Sequence, residues 1–152
     1  MNYVKAQEHI FKALIRGQRV CRFDLDESST FVTPDGFKGW VFPNDVLMIN
    51  VEKIQEFRPL EIVSIIKPEN KLDMTLEFQL ANPHSKELLR KFKSDTKTVF
   101  VKEAFLAMFQ NPSFYQELDK SLGHIVVTEE VRGVTKPVGV VLPVRMYKPD
   151  DD

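Results

Sequence analysis

A strict alternation of apolar and polar residues over positions 72–80 constrains the fold more than any other feature of this chain. The apolar positions are Leu72, Met74, Leu76, Phe78 and Leu80, and a polar residue separates each from the next. Successive side chains of a β-strand point to opposite faces, so the pattern predicts a strand with one buried face and one solvated face. Such strands are typical of antiparallel sheets. We therefore expect all five apolar side chains to be buried.

The order of the remaining segments predicts an α+β fold with a mainly antiparallel sheet and two principal helices. The helices are expected at residues 3–16 and 102–109, with shorter helical segments at 85–92 and 113–120. Strands are expected at 19–25, 30–33, 61–67, 72–80, 96–101, 124–130 and 138–147. Residues 61–67 and 72–80 would form a hairpin. We expect residues 1–148 to form a single domain and residues 149–152 to be a disordered acidic tail.

Composition narrows the classes of function. The chain has 152 residues, a formal net charge of -1 and a single cysteine, Cys21. This charge argues against a globally basic nucleic-acid binder, and one cysteine forms no internal disulfide. The amino terminus carries no apolar signal segment, and no stretch of the sequence is long enough to span a bilayer. We therefore expect a cytoplasmic protein without membrane contact.

Pro143 interrupts the apolar run of residues 139–147. Proline has no backbone N–H to donate to a neighbouring strand, so it predicts a sheet edge or a bulge at this position. Two interpretations stay open. The edge is an interface, as a homo-oligomer contact or as a groove for a peptide, or it is a terminal strand that simply tolerates proline.

Few residues are arranged for catalysis or metal binding. Asp24, Asp26 and Glu27 are close enough in sequence to hold a hard cation, but the same residues also fit a solvated turn before Ser28 and Ser29. The three histidines lie too far apart for a zinc site, and no nucleophile motif or glycine-rich phosphate loop is present. We expect no catalytic residue, no metal and no cofactor.

A nucleic-acid contact is suggested by the first helix. Lys5, Lys12 and Arg16 are spaced to share a helix side, and Arg19 follows just beyond. A merely solvated face explains the same pattern. The aromatic stretch 37–42 offers either base stacking or core packing.

The second half of the chain resembles the closing half of a domain of the bacterial DNA sliding clamp, the β subunit of the replicative polymerase. Residues 98–109 read as a strand leading into a helix, and the last strand ends Leu142-Pro143-Val144-Arg145-Met146. The family's last strand ends in Met-Pro-x-Arg-hydrophobic, and here Leu142 replaces the methionine. The resemblance implies a DNA-clamp-like domain in which these five residues line a pocket for peptide motifs.

The resemblance further implies a non-enzymatic interaction module that binds a protein partner, related to replication or to mobile elements, through the C-terminal edge strand. Clamps chain three such domains and build the pocket from two of them, so a second copy would have to complete it here. Two alternatives stay open: a small enzyme with a loop carboxylate site, and a weak, non-specific nucleic-acid binder.

Overall fold

One α-helix and nine strands make up the regular structure of the described residues. The structure is a computed structural model, and it describes residues 1–49 and 61–145. The helix α1 spans Tyr3–Ile15. The strands are β1 (Cys21–Asp24), β2 (Ser29–Thr33), β3 (Lys38–Pro43), β4 (Lys71–Leu80), β5 (Leu88–Lys93), β6 (Thr98–Lys102), β7 (Ser113–Tyr115), β8 (Ile125–Val131) and β9 (Val134–Val141). Short 3₁₀ segments lie at Val63–Ile65, Pro68–Asn70 and Glu103–Leu106.

The nine strands form one open sheet in which every pair is antiparallel. Their order is β1-β2-β3-β9-β8-β7-β4-β5-β6. After β9, Val144 makes an isolated antiparallel bridge to Phe100 of β6, so the far edge of the sheet curls back toward the end of β9. The fold is α+β with a mainly antiparallel sheet, as predicted, but the described residues contain one α-helix instead of two.

Apolar side chains cover both faces of the central strands. On one face, α1 packs its Ile10 into a cluster that contains Trp40 of β3 and Phe92 of β5. On the other face, Ile62 and Ile65 cover Val140 of β9. Burial on both sides explains why the strand residues of this region are continuously apolar.

The helix α1 begins and ends at residues suited to those positions. The Asn2 side chain accepts a hydrogen bond from the Lys5 backbone N–H at 3.0 Å, and Gly17 follows the helix with a φ of 75°. The large apolar residues of α1 are only partly buried. Ile10 is buried, whereas Phe11 and Ile15 are exposed.

Two alanines explain which side of α1 is buried. The residues of α1 that are buried beside Ile10 are Ala6 and Ala13. Their small side chains let the helix lie close to the sheet, and the buried stripe therefore follows positions 6, 10 and 13. The larger apolar residues at positions 11 and 15 lie to the side of that contact.

Two glycines in neighbouring strands allow β3 and β9 to pack closely over the core. Gly39 and Gly139 lie in adjacent strands, where Gly39 pairs with Val140 and Gly139 pairs with Trp40. A Cβ atom on Gly139 would lie 2.7 Å from Cζ of Phe109 and 2.9 Å from the Gly39 carbonyl oxygen. Only a residue without a side chain fits there.

The predicted final strand pair exists, but the proline within its second strand is Pro137 and not Pro143. β8 and β9 form a hairpin, and β9 lies between β3 and β8 instead of at an edge. Pro143 lies beyond the end of β9 at Val141. Pro137 is the proline within the strand, and it lies opposite Thr128 at a register shift. A bulge is where a missing N–H is tolerated inside a sheet.

Several predicted helical segments are wrong. Residues 102–109 contain a 3₁₀ turn at Glu103–Leu106, since Asn111 and Pro112 stop the chain after too few residues for a stable helix. Residues 85–92 lead into β5, and residues 113–120 contain β7. In both cases pairing with the sheet overrides the local sequence preference.

The predicted hairpin of residues 61–67 with 72–80 is also wrong. Ile62 and Ile65 are buried, and their spacing of three suits the 3₁₀ turn that the structure has at Val63–Ile65. β4 pairs instead with β5, which follows it, and with β7. The predicted acidic tail 149–152 lies outside the described residues.

Candidate functional site

β4 extends beyond the core of the sheet. It pairs with β7 only through Lys71 and Leu72, whereas its other edge pairs with β5 from Asp73 to Leu80. We call residues 73–80 together with β5 the β4–β5 arm, and we call the side of residues 73–80 that faces away from β5 the free edge of β4. No strand within residues 1–49 and 61–145 pairs with this free edge.

Four of the five apolar side chains of residues 72–80 are exposed, which contradicts the prediction that all five are buried. Only Leu72 is buried, at 2% exposure. The exposed fractions are 44% for Met74, 89% for Leu76, 48% for Phe78 and 45% for Leu80. The alternation correctly predicted a strand, but beyond Leu72 the strand leaves the layers of the core. A row of apolar side chains therefore faces solvent.

A bulge places Leu76 at the centre of this row. Met74 pairs with Phe92 and Phe78 pairs with Arg90, so residues 75–77 lie opposite the single residue Lys91. The Thr75 hydroxyl donates to the Lys91 carbonyl oxygen at 2.9 Å and accepts from the Glu77 backbone N–H at 3.1 Å. These bonds fix the bulge while the Leu76 side chain stays in solvent.

Arg90 ties the bulge to the rest of the molecule. Its guanidinium donates to the Thr75 carbonyl oxygen at 2.9 Å and to both carboxylate oxygens of Glu103 at 2.9 and 2.7 Å. The same group lies 4.1 Å from the centroid of the Phe78 ring. The hydrogen bond with Glu103 raises the pKa of Arg90. These contacts connect the bulge of β4 to β5 and to the turn after β6.

Two further ion pairs hold charged side chains of the arm. The Lys91 ammonium lies 2.7 Å from the Glu77 carboxylate, and this contact lowers the pKa of Glu77. Lys102 lies 3.2 Å from Glu87. Both contacts lie at the surface, so each contributes little to the stability of the fold.

The C-terminal segment predicted to bind a partner lies beside β6. Leu142 donates its backbone N–H to the Phe37 carbonyl oxygen at 2.8 Å, and Val144 donates to the Phe100 carbonyl oxygen at 2.7 Å. Pro143, between them, changes the chain's neighbour from β3 to β6. Arg145 is exposed at the rim of a groove of about 310 Å³, which is lined by Val144, Thr98, Val99, Phe100 and Leu122. Met146 lies outside the described residues.

The residues predicted to contact nucleic acid are all exposed. They are Lys5, Lys12, Arg16 and Arg19. The structure adds a fifth basic residue, because Lys38 of β3 lies close enough to α1 to act on its histidine. Burial lowers the pKa of His9, and Lys38, Lys12 and Lys5 lower it further. Within the aromatic stretch 37–42, Trp40 and Phe42 take the core-packing alternative because they are fully buried, whereas Phe37 is exposed.

The carboxylates near the first turn hold the loop together. Both the backbone N–H and the hydroxyl of Ser28 and of Ser29 donate to Oδ1 of Asp26, at 2.8 to 3.0 Å. These bonds, led by the one from the Ser28 backbone, lower the pKa of Asp26. An open groove of about 610 Å³ runs past Asp26 and Glu27. No group of three potential metal ligands occurs within residues 1–49 and 61–145.

Two broader observations bear on what kind of protein this is. In the part of the chain that the structure describes, no helix is long and apolar enough to cross a membrane. A comparison of the chain with protein-family models, with curated proteins and with solved structures found no match.

Proposed function

We propose that this protein is a non-enzymatic interaction module that binds another polypeptide along the free edge of β4. The observation that carries the proposal is the combination of an unpaired strand edge with an exposed apolar row centred on Leu76. An unpaired edge offers backbone donors and acceptors to an added strand, and alternate side-chain contacts supply specificity.

The rigidity of the arm supports this proposal. A bound segment gains affinity when the surface that receives it is already ordered, because less conformational entropy is lost on binding. The network of Arg90 with Glu103 and Thr75 orders the free edge in advance. An isolated apolar residue on a surface needs no explanation, but a row of four on one supported strand favours an interaction surface.

The C-terminal segment is the second surface of the proposed module. By its resemblance to the sliding-clamp family, the chain would be clamp-like and would receive a peptide at Leu142, Pro143, Val144, Arg145 and Met146. The groove beside Val144 and the exposed Arg145 support this part of the proposal. A guanidinium at the rim suits a carboxylate of the bound peptide. In this reading the partner is a replication or mobile-element factor.

Photo-crosslinking tests the proposal in cells that produce the protein. A photo-reactive phenylalanine analogue is placed at position 76, at position 145, or at the exposed control position Ile15 of α1. We expect adducts with a polypeptide from position 76, and we expect Phe78→Asp to remove them. Adducts from position 145 would add the C-terminal surface. Adducts from neither position, or equal adducts from position 15, would overturn the proposal.

A weak nucleic-acid contact is the second candidate function, because the basic residues of α1 and those just beyond it are all exposed: Lys5, Lys12, Arg16 and Arg19. Such a contact rests on phosphate attraction and carries no sequence preference. It uses a different surface from the free edge of β4, so the two functions are separable by mutation.

A further inference from the structure

We infer that the polypeptide bound along the free edge of β4 is the same edge of a second copy of this chain, running antiparallel with Leu76 opposite Leu76. The inference rests on the proposed function, since it names the partner of that site. It predicts a symmetric dimer in which one sheet continues into the other.

The order of residues in β4 is symmetric about Leu76. In this register Met74 lies opposite Phe78, and Leu76 lies opposite its own copy. The polar positions pair Asp73 with Gln79 and Thr75 with Glu77. Apolar residues thus meet apolar residues on one face, and no two like charges lie opposite each other.

Neighbouring registers are unfavourable. Shifting one strand by one residue against the other places every apolar side chain opposite a polar one. Moving it to Thr75 places Asp73 opposite Glu77, and moving it to Glu77 places two Glu77 carboxylates opposite each other. Like charges directly opposite destabilise a strand pair. Among the registers centred within one residue of Leu76, the pattern therefore favours the one centred on Leu76 itself.

The backbone of the free edge is suited to the same register. Leu72 pairs with β7 along this edge, and the N–H and C=O groups of alternate residues face the same edge of a strand. Asp73 and Gln79 pair with Lys93 and Leu89, which lie an even number of residues apart in β5, so Met74 and Phe78 on either side of the bulge direct their backbone groups toward the free edge. At the bulge, the Leu76 N–H and C=O point opposite to the Thr75 C=O and the Glu77 N–H of the same peptide groups. The Thr75 carbonyl and the Glu77 N–H are already bonded within the arm. Three residue pairs would form, each exchanging two backbone hydrogen bonds.

The length of the ladder is limited by β7. Beyond Gln79, the next partner position is Leu72 of the other copy, and β7 already pairs with Leu72. The shared ladder therefore covers residues 73–79 of each copy. An interface this small is weak, and we expect a dissociation constant of about 10 to 100 µM, in the range of transient complexes.

A charge-swap experiment tests both the contact and its register. Sedimentation velocity measures the mass of the full chain from about 1 µM to about 1 mM, a range that brackets the expected dissociation constant. We expect the wild type to dimerise. We expect Leu76→Glu and Leu76→Lys each to weaken dimerisation by about tenfold or more, because like charges meet at the two-fold axis. Mixing the two variants should restore dimers, since Glu then faces Lys.

A matched control and a second measurement complete the test. Ile15→Glu introduces the same charge at an exposed residue of α1 and should leave dimerisation unchanged. Leu76→Cys in a Cys21→Ser background leaves one thiol per chain, and mild oxidation should give a disulfide-linked dimer. The same change at Ile15 should not.

The outcomes separate this inference from the proposed function. A wild type that stays monomeric, charged variants that still dimerise, or a mixture that does not recover would overturn the self-pairing. If position 76 then still crosslinks to a different polypeptide in cells, the proposed function survives and only the identity of the partner was wrong. If neither dimers nor adducts form, both fail.

Discussion

Glu129 of β8 is a buried carboxylate that joins two distant parts of the chain. Its Oε1 lies 2.7 Å from the Met1 amino group, and its Oε2 accepts a hydrogen bond from the Gln110 backbone N–H at 2.8 Å. Removing one partner of a buried ion pair leaves the other charge without compensation. We therefore expect Glu129→Ala to lower the free energy of unfolding by about 3 to 5 kcal/mol, measured by urea denaturation.

The neighbouring residue provides the control for this change. Glu130 is exposed on the same strand, so Glu130→Ala should alter the free energy of unfolding by less than about 0.5 kcal/mol. Equal unfolding midpoints for the two variants would show that the Glu129 ion pair contributes nothing net.

Asp26 makes the stability of the first loop depend on pH. Its pKa in the folded protein is lower than its usual value of 3.8, so the carboxylate stabilises the fold above that value. This contribution is lost as the pH falls through the lowered pKa. We expect Asp26→Asn to destabilise the protein at pH 7 and to have no effect at a pH below both pKa values. Denaturant melts at several pH values measure the difference, and a constant difference would contradict this prediction.

Two phenylalanines of the β4–β5 arm differ in burial, so we expect their mutation to affect stability to different extents. Phe92 of β5 is fully buried and packs edge-on against Phe114, with ring centroids 4.7 Å apart. Phe92→Ala should cost about 3 to 5 kcal/mol of stability. Phe78 is half exposed, so Phe78→Ala should cost less than about 1.5 kcal/mol, mainly from the lost contact with Arg90. A larger loss at Phe78 would mean that this face of β4 is covered.

The glycine pair makes a second prediction about the sheet. A methyl group at position 139 collides with the Phe109 ring and the Gly39 carbonyl oxygen. We expect Gly139→Ala to lower the free energy of unfolding by about 1 to 3 kcal/mol, as overpacking does. Adding Phe109→Leu should recover part of that loss, because the smaller side chain makes room. A double variant that is no better than the sum of the two single changes would contradict this explanation.

Local sequence patterns predicted the elements that depend on neighbouring residues. The helix α1 has its own capping residue and stop, and the β8–β9 pair is joined by a short turn at Arg132 and Gly133. The alternation in β4 likewise predicted a strand. It did not predict exposure, because period two shows which residues share a face but not whether another layer covers that face. Whether that face is covered depends on β7, whose pairing with β4 ends at Leu72.

The candidate site was largely beyond sequence analysis. Arg90 and Glu103 meet in space through the turn after β6, and nothing in their own sequence positions links either of them to Thr75. The sequence shows that the residues of the exposed row are apolar, but apolar residues at these positions are equally typical of a buried core. Pro143 predicted an edge or a bulge within the last strand, but β9 ends at Val141 and lies between β3 and β8, which only the strand order shows.

The distribution of charge over the molecule gives a prediction for nucleic acid. Lys5 and Lys12 lie near Lys38 on a chain with a net charge of only -1. We expect weak binding to duplex DNA, with a dissociation constant no tighter than about 1 µM, that falls steeply with added salt as counterion release requires. Fluorescence anisotropy at low and moderate salt measures this binding.

Charge reversal on two surfaces completes that test. The double change Lys5→Glu with Lys12→Glu should abolish binding, whereas Lys86→Glu with Lys136→Glu, two exposed lysines elsewhere, should reduce it only slightly. Binding that is insensitive to salt, or equally sensitive to both pairs, would rule out a site on α1.

The central position of β9 has a consequence for how the chain folds during synthesis. β1, β2 and β3 pair with one another, and β9 is the strand that connects them to the rest of the sheet. The β3–β9 pairing joins Lys38 to Val141, so the first three strands leave the ribosome long before their neighbour is made. Because a contact between residues so far apart in sequence forms slowly, the edge of β3 stays unpaired in the nascent chain until β9 is made. We therefore expect the nine-stranded sheet to be completed only after β9 has been made.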